Sequence, residues 1–189
     1  YKRTTENVTI TNCMLSGFTE GTLLDGTLDS TNIQREGLGG IKFGTESNGG
    51  FKNIVINNCV FDTCDGCYLE MMDGGIMDNV SISNITMKNM AGAPIFIRLG
   101  NRARGPDNPP VGKIRNINIS NVFVTGSYWR IGSHITGIPG YSIEDVRLNN
   151  IKIMYVVNEP IATILTARIN TPRYKNLPPK IKAIAAGAT

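Results

Sequence analysis

Asn53-Ile-Val-Ile-Asn-Asn58-Cys59 is the stretch that decides the fold, because its pattern occurs five times along the chain. The other copies read Asn7-Val-Thr-Ile-Thr-Asn12-Cys13, Asn79-Val-Ser-Ile-Ser-Asn84-Ile85, Asn116-Ile-Asn-Ile-Ser-Asn121-Val122 and Asp145-Val-Arg-Leu-Asn-Asn150-Ile151. In every copy apolar residues alternate with polar ones, which is the period of a β-strand with one buried face. A strand pattern that returns along the chain predicts a repeat protein.

An asparagine occupies the sixth position of every copy. Asparagine tolerates left-handed backbone and bonds neighbouring peptide groups, so it also marks ordinary turns. Five recurrences at one phase favour stacking over isolated turns, and stacked repeats would align the amides in a ladder. The predicted members are Asn12, Asn58, Asn84, Asn121 and Asn150.

The intervals between copies define the repeat. Asn53 to Asn79 is 26 residues, and a second strand keeps this interval at Gly40, Gly66 and Gly92. We therefore predict an all-β solenoid with coils of about 26 residues. The intervals of 46 before Asn53 and 37 after Asn79 imply insertions of 20 residues around 18–37 and of 11 within 101–115. The last interval, from Asn116 to Asp145, is 29 residues.

The end of the chain lacks the repeat. We assign residues 1–165 to the coils and 166–189 to an irregular basic tail, since 160–189 hold five Lys or Arg and no acid. The remainder, 14 basic against 15 acidic residues, is near neutral, so no nucleic-acid partner is expected. No run approaches the roughly 20 apolar residues of a membrane helix, and the chain shows no signal peptide. We expect a monomer.

The four cysteines do not predict a metal site. Cys59 falls in the repeat, Cys64 and Cys67 form a single Cys-x-x-Cys pair, and the lone histidine, His134, is distant. Cys13 and Cys59 share one position of the repeat, which suits a small buried hydrophobe. We expect no metal and no other cofactor.

Several strings resemble the C-terminal half of glycoside hydrolase family 28, the polygalacturonase and rhamnogalacturonase group. They are Gly39-Gly-Ile-Lys-Phe-Gly-Thr-Glu-Ser-Asn-Gly-Gly50, Asp73-Gly-Gly75, Ala93-Pro-Ile-Phe-Ile-Arg-Leu-Gly100 and Gly137-Ile-Pro-Gly140. The resemblance covers about residues 5–155. It implies a right-handed single-stranded parallel β-helix of the pectin-lyase type, truncated on its N-terminal side, and a secreted or periplasmic protein.

The resemblance also implies a chemistry. Members of the family hydrolyse pectic polysaccharide, polygalacturonan or rhamnogalacturonan, with inversion, using aspartates of an Asn-x-Asp and an Asp-Asp motif. These motifs precede the coil that begins here, so we expect no catalytic residue in the chain and no hydrolysis by it alone. Leu38 stands where the family has the histidine of Gly-His-Gly, and Glu70 where it has the lysine of Arg-Ile-Lys. Both departures favour a neutral sugar at that subsite, or lost activity.

Five residues are candidates for substrate binding. The 26-residue interval places Glu46, Met72 and Arg98 on one line, with Glu46 and Arg98 roughly 10 Å apart, a sugar-sized gap. Tyr68 and Glu70 face outward together if Leu69 faces the core. Arg102, with Arg104 beside it, has the fork that suits a uronate carboxylate. The predicted substrate-binding residues are Glu46, Tyr68, Glu70, Arg98 and Arg102.

Other readings stay open. An ordinary solvent-facing role fits Glu46 and Arg98 nearly as well, fits Tyr68 and Glu70 equally well, and fits Arg102 somewhat better. A structural role is favoured for His134, Trp129, Asp25 and Asp73. The main alternative to the enzyme is a non-catalytic carbohydrate-binding or adhesin β-helix. A polysaccharide lyase is disfavoured, because the sequence has no cluster of calcium-binding acids.

Overall fold

The computed structural model describes residues 3–17, 40–46, 48–105, 108–128 and 132–156. Within these ranges the chain is all-β, with ten strands and no helix. The strands are β1 (Thr5–Thr11), β2 (Met14–Ser16), β3 (Ile41–Phe43), β4 (Phe51–Asp62), β5 (Cys67–Met71), β6 (Ile76–Lys88), β7 (Ile95–Leu99), β8 (Lys113–Tyr128), β9 (His134–Thr136) and β10 (Glu144–Val156).

The strands form two parallel sheets. The first sheet has the order β1-β4-β6-β8-β10, with β2 also pairing with β4, and the second has the order β3-β5-β7-β9. From β3 onward, successive strands belong alternately to the second and the first sheet. Each sheet therefore stacks its strands in chain order, and the prediction of an all-β, parallel architecture is confirmed.

The register of the first sheet follows the sequence intervals. Thr5 pairs with Phe51, Phe51 with Met77, and Ile76 with Lys113, which are separations of 46, 26 and 37 residues. The two longer intervals thus leave the strand pairing intact. In the 37-residue interval the extra chain lies between strands, where it disturbs the ladder least, whereas residues 18–37 lie outside the described residues.

The long strands change phase at their left-handed asparagines. In β4 the buried residues are Ile54 and Ile56, then Cys59 and Phe61, so the alternation slips by one residue. The slip falls at Asn58, whose φ is 54°. A left-handed residue rotates the chain about its own axis, so both halves of the strand keep their apolar side chains inside.

The asparagine ladder is confirmed from Asn84 to Asn150, and a second ladder, from Asn7 to Asn79, accompanies it. Every predicted member has a φ between 52° and 56°. Asn121 donates to Asn84 at 3.0 Å and Asn150 donates to Asn121 at 2.9 Å, whereas Asn84 donates to Asn57 rather than to Asn58. The first position of each copy is left-handed too, a regularity the sequence analysis did not use. These residues are Asn7, Asn53, Asn79, Asn116 and Asp145.

Both sheets contribute to one apolar core. Ile54, Ile82 and Ile119 of the first sheet and Leu69 and Ile97 of the second are inaccessible to solvent and belong to the same cluster. The inward faces of the sheets therefore stabilise each other, which leaves the outward faces for polar contacts and function.

The cysteines are free thiols. Cys59, Cys64 and Cys67 are buried, and burial raises the pKa of both Cys64 and Cys67 to about 12, so these thiols stay protonated core residues. Cys13 is exposed, contrary to prediction, because it lies in the edge segment of the first sheet and has a strand on one side only. No group of three or more metal-ligating side chains occurs in the described part of the chain.

The second sheet corrects one predicted register. Cys67 pairs with Ile95 and Glu70 with Arg98, two residues later than a 26-residue repeat places them. The extra residues lie in the turn before β7, where Ala91 donates to the carbonyl of Cys64 and Cys67 donates to that of Pro94. Gly92 therefore precedes the strand instead of starting it.

Contacts divide the chain into two compact units, Tyr1–Tyr155 and Val156–Thr189. The first unit contains both sheets up to the penultimate residue of β10. The predicted boundary between repeat and tail at residue 165 lies outside the described residues. In the part of the chain that is described, there is no helix of the length and apolarity that crossing a membrane requires.

Candidate functional site

The outward face of the second sheet brings the candidate residues together. Along β7 the side chains of Ile95, Ile97 and Leu99 enter the core, so those of Phe96 and Arg98 point away from it. The same alternation applies to β3 and β5. We call this surface the outer face of the second sheet, and its residues are Lys42, Tyr68, Glu70, Phe96, Arg98, His134 and Thr136.

An aromatic row crosses this face perpendicular to the strands. Tyr68 pairs in register with Phe96, and Phe96 with His134. The rings of Tyr68 and Phe96 stack with centroids 4.8 Å apart and an interplanar angle of 22°. The His134 ring meets Phe96 edge-on at 4.2 Å. Three adjacent, partly exposed rings thus form a continuous row with Phe96 in the middle, and we call it the aromatic row.

Tyr68 is held at one end of the row by the turn before β7. Its hydroxyl oxygen accepts a hydrogen bond from the amide of Ala93 at 3.0 Å. Burial raises the pKa of Tyr68 to about 12, with the carboxylates of Asp65 and Glu70 adding to the rise, so the phenol stays protonated. A neutral phenol that already accepts one hydrogen bond can still donate one to a ligand.

Gly92 allows this arrangement. A Cβ at this position would overlap the Asp65 carboxylate and the Tyr68 hydroxyl, so both polar groups converge on a residue without a side chain. Burial raises the pKa of Asp65, and the nearby charge of Lys42 opposes the rise. Asp65 was not among the sequence candidates, because nothing in its local sequence indicates this approach.

Glu70 lies beside the aromatic row, flanked by two cations. Its Oε1 is 3.2 Å from Nζ of Lys42, and its register partner on the next strand is Arg98. Leu69 faces the core, which meets the condition for Glu70 to lie on the same side as Tyr68. Glu70 is only 6% exposed, however, because neighbouring side chains cover it, so it is not the open surface residue that the alternation alone suggests.

The loop after β7 is fixed by a buried ion pair. Asp73 is inaccessible to solvent, and its two oxygens accept hydrogen bonds from Nε and Nη2 of Arg102, with the Nε bond at 3.0 Å. The backbone amide of Arg104 donates to the same carboxylate at 2.9 Å. The hydrogen bonds from Arg102 hold the pKa of Asp73 below its usual range, which keeps the carboxylate charged.

Glu46 lies on the other side of Arg102, following β3. Its Oε1 is 3.8 Å from Nη2 of Arg102, and its side chain is 73% exposed. The predicted line of Glu46, Met72 and Arg98 is therefore wrong: the two extra residues before β7 place Arg98 next to Glu70, and Glu46 faces the loop instead. We call Lys42, Glu46, Glu70, Asp73, Arg98 and Arg102 the charged cluster.

The structure thus brings together all five sequence candidates and adds others. Asp73, Phe96 and His134 belong to the site, although sequence reasoning gave the first and last structural roles. The alternation of Phe96 with Ile95 and Ile97 indicates that Phe96 faces outward. The 38-residue separation of Phe96 and His134 gives no indication that they pair. Leu38, Asp25 and Trp129 lie outside the described residues.

Comparisons with protein-family models, with curated proteins and with solved structures found no match for the chain.

Proposed function

We propose that the chain is a right-handed single-stranded parallel β-helix of the pectin-lyase type that binds pectic polysaccharide as part of a glycoside hydrolase similar to family 28. The proposal assigns saccharide binding to the outer face of the second sheet. The observation that carries it is the aromatic row lying directly beside the charged cluster.

Strand order supports the β-helix. Successive strands alternate between two parallel sheets, and each sheet stacks its strands in chain order. A chain that advances by one strand in each sheet per repeat winds around a common core, and a right-handed course is the usual one for parallel crossovers. The phase slip at residues such as Asn58 supplies the bend that each turn requires.

Side-chain chemistry supports a saccharide ligand. A pyranose ring presents C–H groups that pack against apolar aromatic surface, while its hydroxyls contact polar groups. Tyr68 and Phe96 stack on each other and supply ring edges for the C–H groups, and Arg98 and Arg102 supply donors beside them. Successive strands are about 4.8 Å apart, so each sugar residue of a bound polysaccharide would span about one strand.

The proposed reaction is inverting hydrolysis, in which one carboxylic acid protonates the leaving oxygen and a carboxylate activates water across a gap of roughly 6.5–9.5 Å. We assign neither role to the charged cluster. Glu70 is ion-paired with Lys42 and Asp73 with Arg102, so neither offers a carboxyl group directed at a substrate. The residues described here are proposed to bind and orient the polysaccharide.

Isothermal titration of the 189-residue chain with oligogalacturonides and rhamnogalacturonan oligosaccharides tests the binding face. We expect Phe96→Ala to weaken binding about tenfold, since one aromatic contact is worth about 1 kcal/mol. Phe123→Ala is the matched control, because Phe123 is an exposed ring on β8 of the first sheet. Equal losses in the two variants, or none in either, would refute the assigned face.

A reducing-sugar assay separates the enzyme from the main alternative, a non-catalytic carbohydrate-binding or adhesin β-helix. Hydrolysis of pectic substrates by the 189-residue chain at enzyme-like rates would require a catalytic pair within it and would contradict our assignment. In-frame Asn-x-Asp and Asp-Asp motifs encoded ahead of Tyr1 support the hydrolase, and their absence supports the binding module.

A further inference from the structure

We infer that Asp73 is a positioning residue, which orients Arg102 so that the unoccupied edge of its guanidinium group binds a carboxylate of the saccharide. The inference rests on the proposed function and names the chemical class that this part of the site selects: a uronate in its free acid form, in preference to its methyl ester.

Within the described part of the chain, the hydrogen bonds of the Arg102 side chain occupy one edge of its guanidinium group and leave the other edge available. Nε and Nη2 both donate to Asp73, which occupies the first edge. A guanidinium group carries five N–H donors in one plane, so Nη1 and the second hydrogen of Nη2 form a further fork directed away from Asp73. Arg102 is 24% exposed, so this fork can reach a ligand.

The backbone fixes the direction of the fork. The amide of Arg102 donates to the carbonyl of Met72 at 2.7 Å, and the amide of Arg104 donates to the Asp73 carboxylate at 2.9 Å. Asp73 is inaccessible to solvent, and a buried carboxylate is strongly destabilising unless it is paired and hydrogen-bonded. Both the Asp73 carboxylate and the Arg102 side chain are therefore held in place before a ligand binds, as preorganised recognition requires.

Glu46 marks where the ligand carboxylate binds. Among the described residues, the carboxylates within ion-pair distance of Arg102 are those of Asp73 and Glu46. Glu46 Oε1 is 3.8 Å from Nη2, which is beyond hydrogen-bond distance, and its side chain is largely in solvent. A planar carboxylate that makes two charge-assisted bonds would displace this loose partner, whereas a methyl ester lacks both the charge and one acceptor oxygen.

The test compares trigalacturonate with its fully methyl-esterified form, titrated into the 189-residue chain. We expect the wild type to bind the acid about tenfold more tightly, the equivalent of one charge-assisted hydrogen bond. Arg102→Gln should remove this preference, so that the acid and the ester bind equally. Asp73→Asn should reduce the preference although Arg102 is still present, and the double variant should show no further loss.

The control is Asp78→Asn. Asp78 forms a similar ion pair with Nε and Nη2 of Arg115 on the first sheet, which is not part of the proposed site, so the preference for the acid should persist. If Asp73→Asn fails to fold, Arg102→Lys carries the test, because it keeps the charge but loses the fork and should lower the preference.

The possible results separate this inference from the proposed function. Failure of both probes to bind would overturn the two together. Equal binding of acid and ester by the wild type would overturn the inference alone. If Asp73→Asn lowers acid and ester binding equally, or adds fully to Arg102→Gln, then Asp73 has only a structural role.

Discussion

The outer faces of the two sheets use polar side chains in opposite ways. On the first sheet, Asn121 donates to Asn84 and Asn150 donates to Asn121, so each amide is satisfied by the repeat before it. On the second sheet, Phe96 and Tyr68 present rings and Arg102 presents an unoccupied edge. The amides of the first face bond to one another, whereas the second face offers rings and hydrogen-bond donors to a ligand.

The largest effect expected on stability is that of Asp73→Asn. Removing one partner of a buried ion pair costs about 3 kcal/mol, at the lower end of the usual range because Arg102 is partly hydrated. Since the pKa of Asp73 is lowered in the folded state, its contribution is complete above the unfolded pKa and is lost as pH falls through the folded pKa. Urea unfolding of wild type and variant should therefore differ most near neutral pH and converge in acid.

Asp78→Asn provides a comparison for that result. Hydrogen bonds from Arg115 are the main cause of the lowered pKa of Asp78, but Arg115 is 44% exposed, so this ion pair is more hydrated. Near neutral pH the loss of Asp78 should cost less than that of Asp73. An equal or larger cost would show that the two pairs do not differ in the way their burial indicates.

The second effect concerns the ladder of the first sheet. Asn84→Ala should lower the free energy of unfolding by about 2 kcal/mol, because alanine is strained at a φ of 55° and two amide hydrogen bonds are lost. Asn84→Gly should cost about half as much, since glycine adopts this conformation without strain. Urea unfolding measures both, and an alanine variant as stable as the glycine variant would contradict the role of left-handed backbone.

Gly92→Ala tests the end of the aromatic row. The added methyl group would displace the ends of Asp65 and Tyr68, and we expect a loss of about 1 kcal/mol together with weaker saccharide binding. Gly132→Ala is the matched control, because the nearest atom to its Cβ, other than its chain neighbours, is the Tyr155 hydroxyl at 3.9 Å. Thermal unfolding and titration distinguish the two variants, and equal behaviour would exclude a special role for Gly92.

The smallest effect should come from Lys42→Met. The Lys42 side chain is 51% exposed, so its ion pair with Glu70 is screened by solvent and should contribute no more than about 0.5 kcal/mol, less at high salt. Lys88→Met, which breaks a similar half-exposed pair with Asp62, should have a comparable effect on stability. Only the Lys42 variant should alter saccharide binding, and a binding change in both would argue against separate functions of the two faces.

The fold was more predictable from the sequence than the site, for a physical reason. Alternation and a left-handed asparagine such as Asn58 act locally, so a recurring pattern determines strands, bends and the register of the first sheet. The side-chain neighbours of the site depend on the lengths of turns. Two extra residues before Ile95 moved Arg98 from Met72 to Glu70, and no local signal indicated them.

The burial of polar groups also could not be predicted from the sequence. The sequence places Asp73 in a glycine-flanked turn, where local backbone bonding is the ordinary expectation. Its partner, Arg102, lies 29 residues further along in a loop, so only the folded chain reveals the ion pair. A repeat in the sequence does not reveal residues whose interaction partners lie far along the chain.

The amide ladders also have a direction. Asn53 donates to Asn7, Asn79 to Asn53, Asn121 to Asn84 and Asn150 to Asn121, so the donor always lies later in the chain than its acceptor. During synthesis on the ribosome, each acceptor emerges before the amide that will bind it. A newly made repeat can therefore dock on a template that is already complete, and assembly can follow translation one repeat at a time.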